Sequence, residues 1–154
     1  MSLESIKVQL KNLGLELPEV PKPLAAYIPA KRGGNLIFVS GQLPLKNEEL
    51  LGEGSVPNEV LPEHAKDCAK QCFLNGVAAA LSLLNAGEEL ELLQVQGFVQ
   101  SELTFHNQPA IVDGASELAI AIFGESGKHS RAAVGVKSLP KNAPVEIALV
   151  FAVK

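Results

Sequence analysis

The stretch Val145–Val153 constrains the fold more than any other part of the chain. Val145, Ile147, Leu149, Phe151 and Val153 fall on one side of an extended strand, and Glu146, Ala148, Val150 and Ala152 on the other. Apart from Glu146, both sides are apolar. Such a strand belongs inside a sheet that is covered on both faces. Two long helices can cover one face of a sheet this size. The second face is then wet and apolar, which a monomer rarely tolerates. A closed symmetric assembly is the expected solution. The alternative is that an N-terminal helix covers it.

The helices come from periodicity and punctuation. Leu3, Ile6, Leu10 and Leu13 recur at helical spacing, with Ser2 as N-cap and Gly14 as stop. Pro18, Pro21 and Pro23 then impose an extended connection. Residues 63–86 form the longest predicted helix, ended by Gly87, and 109–123 a second, with Pro109 in its first turn and Gly124 at its end. Gly114 is a weak point inside the second helix. Strands are expected at 25–30 and 35–42, joined by the turn Lys31-Arg32-Gly33-Gly34, and at 92–101. Residues 131–137 and 145–153 follow as a final hairpin closed by 139–144. Residues 43–62 read as a surface loop with room for one short strand. The expected architecture is α+β: a mixed sheet of about six strands, two long helices on one face and a short N-terminal helix. One domain spans 1–154, with 1–23 as a helical extension and 24–154 as the core.

Composition removes several function classes. A chain of 154 residues, 47% hydrophobic, buries a proper core and is not disordered. The net charge of -4 comes without a basic stripe, which speaks against nucleic acid as partner. Glu4, Lys7 and Lys11 interrupt any signal-peptide core, and the longest apolar run, 77–84, is too short to span a bilayer. Cys68 and Cys72 lie one helical turn apart and suit a reducing compartment, so a cytoplasmic protein is expected.

Few residues stand out chemically. Arg131 and Glu146 each interrupt a run of small or apolar residues on the last two strands. A guanidinium fork matches a carboxylate, and a carboxylate beside it can polarise a water. The plainer reading is a cross-strand ion pair. Ser40-Gly41-Gln42 ends a strand, where a glycine lets a ligand approach the backbone or simply marks a bulge. His64, Cys68 and Cys72 share one helix face, but a straight face cannot wrap a tetrahedral ion, so no metal is expected and the cysteines are packing residues. His106 and His129 have no nucleophile motif beside them, and Lys128-His129-Ser130-Arg131 reads as a polar strand entry.

Two separated segments resemble the RidA (YjgF) family. Gly34-Asn35 followed by Leu36-Ile37-Phe38-Val39 and Ser40-Gly41-Gln42-Leu43-Pro44 is similar to its first signature. Arg131, Leu139-Pro140-Lys141 and Val145-Glu146-Ile147 are similar to its second. The resemblance spans nearly all of 24–153. It implies a chorismate-mutase-like fold, a homotrimer with clefts between subunits, and cofactor-free hydrolysis of enamines and imines. By that resemblance Arg131 grips the substrate carboxylate and Glu146 holds the attacking water. Tyr27 lines the cleft, and Ser40 and Gly41 form its wall. Ala133 stands where many members carry cysteine, and Asp113 where many carry asparagine. An Asp113 carboxylate repels an acidic ligand unless Arg131 or a proton offsets it. Three functions remain open: an imine deaminase, a carboxylate-binding protein without turnover, and, least favoured by the charge, an endoribonuclease or translation inhibitor.

Overall fold

The computed structural model describes residues 1–20, 22 and 25–154. Five strands form the main sheet: β1 (Ala30–Gly33), β2 (Leu36–Gln42), β5 (Leu90–Gln100), β6 (Ser130–Val136) and β7 (Val145–Val153). Their order is β1-β2-β7-β5-β6, and only β5 and β6 run parallel. Two-residue strands β3 (Leu45–Lys46) and β4 (Glu49–Leu50) make a separate small hairpin within the expected loop. Helices α2 (Pro62–Leu81) and α3 (Gln108–Phe123) pack on one face. With α1 (Leu3–Asn12) the architecture is the expected α+β class.

The apolar strand β7 takes the centre, between β2 and β5. Val145, Ile147, Leu149, Phe151 and Val153 are buried beneath the helices. On the other face Ala148 and Val150 are only half-buried. Cross-strand register adds Phe38 and Val134 to that face, and these are 52% and 46% exposed. The wet apolar face inferred from the sequence is therefore present. The N-terminal helix does not cover it. Ser2 caps α1 by accepting from the Ser5 N–H at 3.2 Å, Ile6 and Leu10 are buried, and the helix rests beside α3. Gly14 adopts φ +69° just past its end, as a helix stop requires. Of the proline connection, Pro21 and Pro23 lie outside the described residues.

Three expectations need correction. First, the first strand begins at Ala30, so Lys31, Arg32 and Gly33 belong to it rather than to the turn. Pro29 cannot donate into a ladder, whereas Arg32 gains a partner: its guanidinium donates to both Glu88 oxygens, at 2.6 and 2.8 Å. Second, α2 stops at Leu81, because the Ser82 hydroxyl bonds back to the Ala79 carbonyl at 2.7 Å and Asn85 engages Glu88 instead of continuing the helix. Third, β6 and β7 are not a hairpin. The β5–α3–β6 crossover lays β6 at the sheet edge, and β5 lies between it and β7. Gly114 also has a different meaning. It is the crossing point of the two long helices, where a Cβ would overlap the Lys66 backbone carbonyl. No helix among the described residues is long and apolar enough to cross a membrane.

Candidate functional site

The sequence-predicted residues separate into two groups. The first sits where β2 meets β7. Val39 pairs with Leu149 and Gln42 with Ile147, so Ser40 and Gly41 both oppose Ala148 in a bulge. The bulge is held by polar groups. Gln42, buried, donates to the Ser40 carbonyl at 2.8 Å, and the Ser40 hydroxyl donates to the Ile28 carbonyl at 2.7 Å. The second bond anchors the segment that carries Tyr27, which is 43% exposed. Gly41 is required because Glu146 lies directly over it; a Cβ there would collide with Glu146 Oε1. Burial raises the pKa of Glu146. No cation and no hydrogen-bond donor engages its carboxylate among the described residues.

Asn75 supports this end from α2. It is buried and donates to the Leu43 and Leu45 carbonyls at 3.1 and 2.9 Å, while its own oxygen accepts from Gln71. No motif in the sequence marks Asn75. Its signal was an amide inside the apolar run of α2.

The second group lies between β6 and α3. Arg131 Nη1 donates to Asp113 Oδ1 at 2.6 Å and to the Ser116 hydroxyl at 3.2 Å. Ser116 in turn is 2.9 Å from His129 Nε2, and His129 Nδ1 is 2.6 Å from the Gly127 carbonyl. For a neutral imidazole the directions follow from the partners. Arginine only donates, so the Ser116 hydroxyl hydrogen is available to His129 Nε2, and the Nδ1 proton goes to the carbonyl. His129 is the polar entry to β6 that the sequence suggests, and it is also part of the Arg131 network. Ala133 pairs with Gly97 and packs against the core on the α3 side.

The two groups do not meet within one chain. Arg131 is in register with Val95 and Leu149 on the helix-covered face, whereas Glu146 is in register with Phe98 and Val134 on the bare face. Strands β6 and β7 are two spacings apart, roughly 10 Å across the sheet. The cross-strand ion pair between Arg131 and Glu146 is therefore absent, and Asp113 occupies the guanidinium instead.

Other features bear on the same question. A groove of about 740 Å³ between the chain after α1, the β3–β4 turn and α2 contains none of the sequence-predicted site residues; Asn75 and Gln71 help to line it, with Leu15, Leu17 and Asn47. Burial raises the Cys68 pKa to about 11 and that of Cys72 higher than its ordinary range, so neither is a ready thiolate. Among the described residues, no three His, Cys, Asp or Glu side chains converge as a metal cage.

Comparison with known proteins agrees with this architecture. A family described as "YjgF/chorismate_mutase-like, putative endoribonuclease" matches residues 7–153, so the match begins inside α1. The chain is 34% identical over 146 residues to Protein TCP17 of Trypanosoma cruzi, covering 92% of this chain and 90% of that protein. It is 31% identical over 133 residues to a 2-iminobutanoate/2-iminopropanoate deaminase of Dermatophagoides farinae, covering 86% and 90%. The crystal structure of Atu1372, a protein of unknown function from Agrobacterium tumefaciens, superposes with a TM-score of 0.86 at 37% identity, covering 98% and 94%. With a matching family over almost its whole length and relatives above 30% identity, the chain belongs to the YjgF (RidA) family.

Proposed function

We propose that this protein is a hydrolytic deaminase of small 2-imino acids, acting without a cofactor at clefts between the copies of a cytoplasmic homotrimer. The observation that carries the reading is Glu146: a half-buried carboxylate with no cation against it among the described residues, seated over a glycine whose missing side chain leaves room for it. A carboxylate in that setting is a base for a positioned water. The relative named as an imine deaminase supports the same chemistry. The split site and the bare apolar face support the oligomer. A second copy presenting its Arg131 edge to the Glu146 side would complete the cleft and cover Phe38 and Val134.

The steps balance as follows. Arg131 holds the substrate carboxylate. Glu146 takes a proton from water as its oxygen bonds to the imine carbon, forming a carbinolamine. That proton passes to nitrogen; as the C–N bond breaks, the carbinolamine hydroxyl gives up its own proton through Glu146 to the departing nitrogen, so ammonia leaves and the 2-oxo acid remains. Ser40 and Gly41 wall the reacting carbon, Tyr27 lines the cleft, and Ala133 contributes backbone only.

A second reading, a small-metabolite-binding protein without turnover, is favoured by one observation: Asp113 already engages Arg131, which alters what the site can bind. The decay of a freshly generated 2-imino acid, followed with and without protein, separates the two. The wild type should accelerate decay. Arg131→Ala should abolish both acceleration and 2-oxo acid binding, and Arg131→Lys should weaken binding about tenfold, because an ammonium matches the charge but not the fork. Binding without acceleration would favour the second reading.

A further inference from the structure

We infer that the Arg131–Asp113 pair reads its ligand as a zwitterion. The carboxylate goes to Arg131 and a cationic nitrogen on the adjacent carbon goes to Asp113. The site then prefers 2-amino and 2-iminium acids over 2-oxo acids of the same skeleton. This rests on the reading of Arg131 as the carboxylate-binding residue.

The guanidinium is held beside Asp113 by more than that one bond. Arg131 Nη1 is shared between Asp113 Oδ1 and the Ser116 hydroxyl, and Ser116 is backed by His129, whose ring is itself tied to the Gly127 carbonyl. Asp113 and Ser116 are three residues apart on α3 and therefore on one helix face. The arginine is held by that face, with its remaining nitrogens unbonded among the described residues. The other nearby cation, Lys66, is bonded to Glu117 at 2.8 Å and feels Asp113 only through space, more weakly than it feels Glu117. Asp113 Oδ2 has no partner among the described residues.

A ligand bearing only a carboxylate meets attraction from Arg131 and repulsion from Asp113 at similar range, and the two largely cancel. A cationic nitrogen next to the carboxylate turns the second contact into attraction. A 2-iminium acid has that charge pattern and a 2-oxo acid has lost it. The pair therefore favours the substrate of the hydrolysis over its product, and it does so by a repulsive element against the product as well as an attractive one for the substrate.

Calorimetric titration of the full chain with L-alanine and with pyruvate tests this. The wild type should bind alanine about tenfold or more tighter than pyruvate. Asp113→Asn should weaken alanine and tighten pyruvate, reversing the order, while Asp113→Glu should keep the wild-type preference. Equal or tighter pyruvate binding by the wild type overturns the inference, as does binding of neither probe at millimolar concentration or an unchanged ratio in folded Asp113→Asn. If that variant does not fold, the wild-type ratio alone decides. The two readings fail separately: an alanine preference without accelerated imine decay removes only the deaminase, and accelerated decay with a flat ratio removes only the zwitterion.

Discussion

Replacing Glu146 by glutamine is expected to slow imine hydrolysis by about 10²–10⁴-fold while leaving the affinity for a 2-oxo acid nearly unchanged. The amide keeps the shape over Gly41 but cannot take the water's proton. Arg131, on the opposite face of its own sheet, is untouched by the change. Burial raises the Glu146 pKa, so the activity should rise with pH through a range above that of an ordinary carboxylate. The same shift has a consequence for stability. A carboxyl whose pKa is higher folded than unfolded favours the fold most below its unfolded value, and that contribution is lost as pH rises through the folded value. At neutral pH ionised Glu146 therefore costs stability, and Glu146→Gln should melt higher than the wild type there but not at pH 3. Lower activity with higher stability separates a lost base from a damaged fold.

Gly114→Ala should destabilise the protein by about 3 kcal/mol or more, lowering Tm by about 6–12 °C. Helix propensity alone predicts the opposite sign, since alanine is favoured over glycine inside a helix by about 1 kcal/mol. Packing decides the outcome. The added methyl would meet the Lys66 backbone carbonyl on α2, which no rotamer change can move. Gly97→Ala is the internal comparison. Its methyl would meet the Val112 side chain first rather than backbone, so the clash is with a group that a small shift of α3 can relieve. Calorimetric melting of the two variants checks the order; a Gly114→Ala protein as stable as the wild type would mean that the helices do not cross so closely.

The features legible in the sequence are those written in local periodicity. Strand β7 was readable because its alternation has period two and both sides are apolar. Helix α3 was readable because Pro109 and Gly124 mark its ends. The adjacency of β6 was not readable, because a turn-rich connection such as 137–144 looks the same whether it joins neighbours or passes a strand between them. The pairing of Arg131 was missed for the same reason: its partners Asp113 and Ser116 lie on a helix, 18 and 15 residues away. Asp113 and Ser116 were spaced to share a face, which was the available signal. Tyr27, Ser40, Gly41 and Glu146 could be named from the family resemblance. That Arg131, Ala133 and Asp113 form a separate group follows only from the strand order.

The split site makes the central claim open to one direct measurement. If each cleft takes Arg131 from one copy and Glu146 from another, two inactive variants should complement each other. Arg131→Ala and Glu146→Gln, refolded together at equal amounts, should recover about a quarter of the wild-type rate, the share of clefts that random mixing gives an intact residue on both sides. Recovery should require mixed trimers and vanish when the separately folded variants are combined without exchange. Verified mixed trimers that stay inactive would contradict the account, because the two residues would then have to act within a single chain.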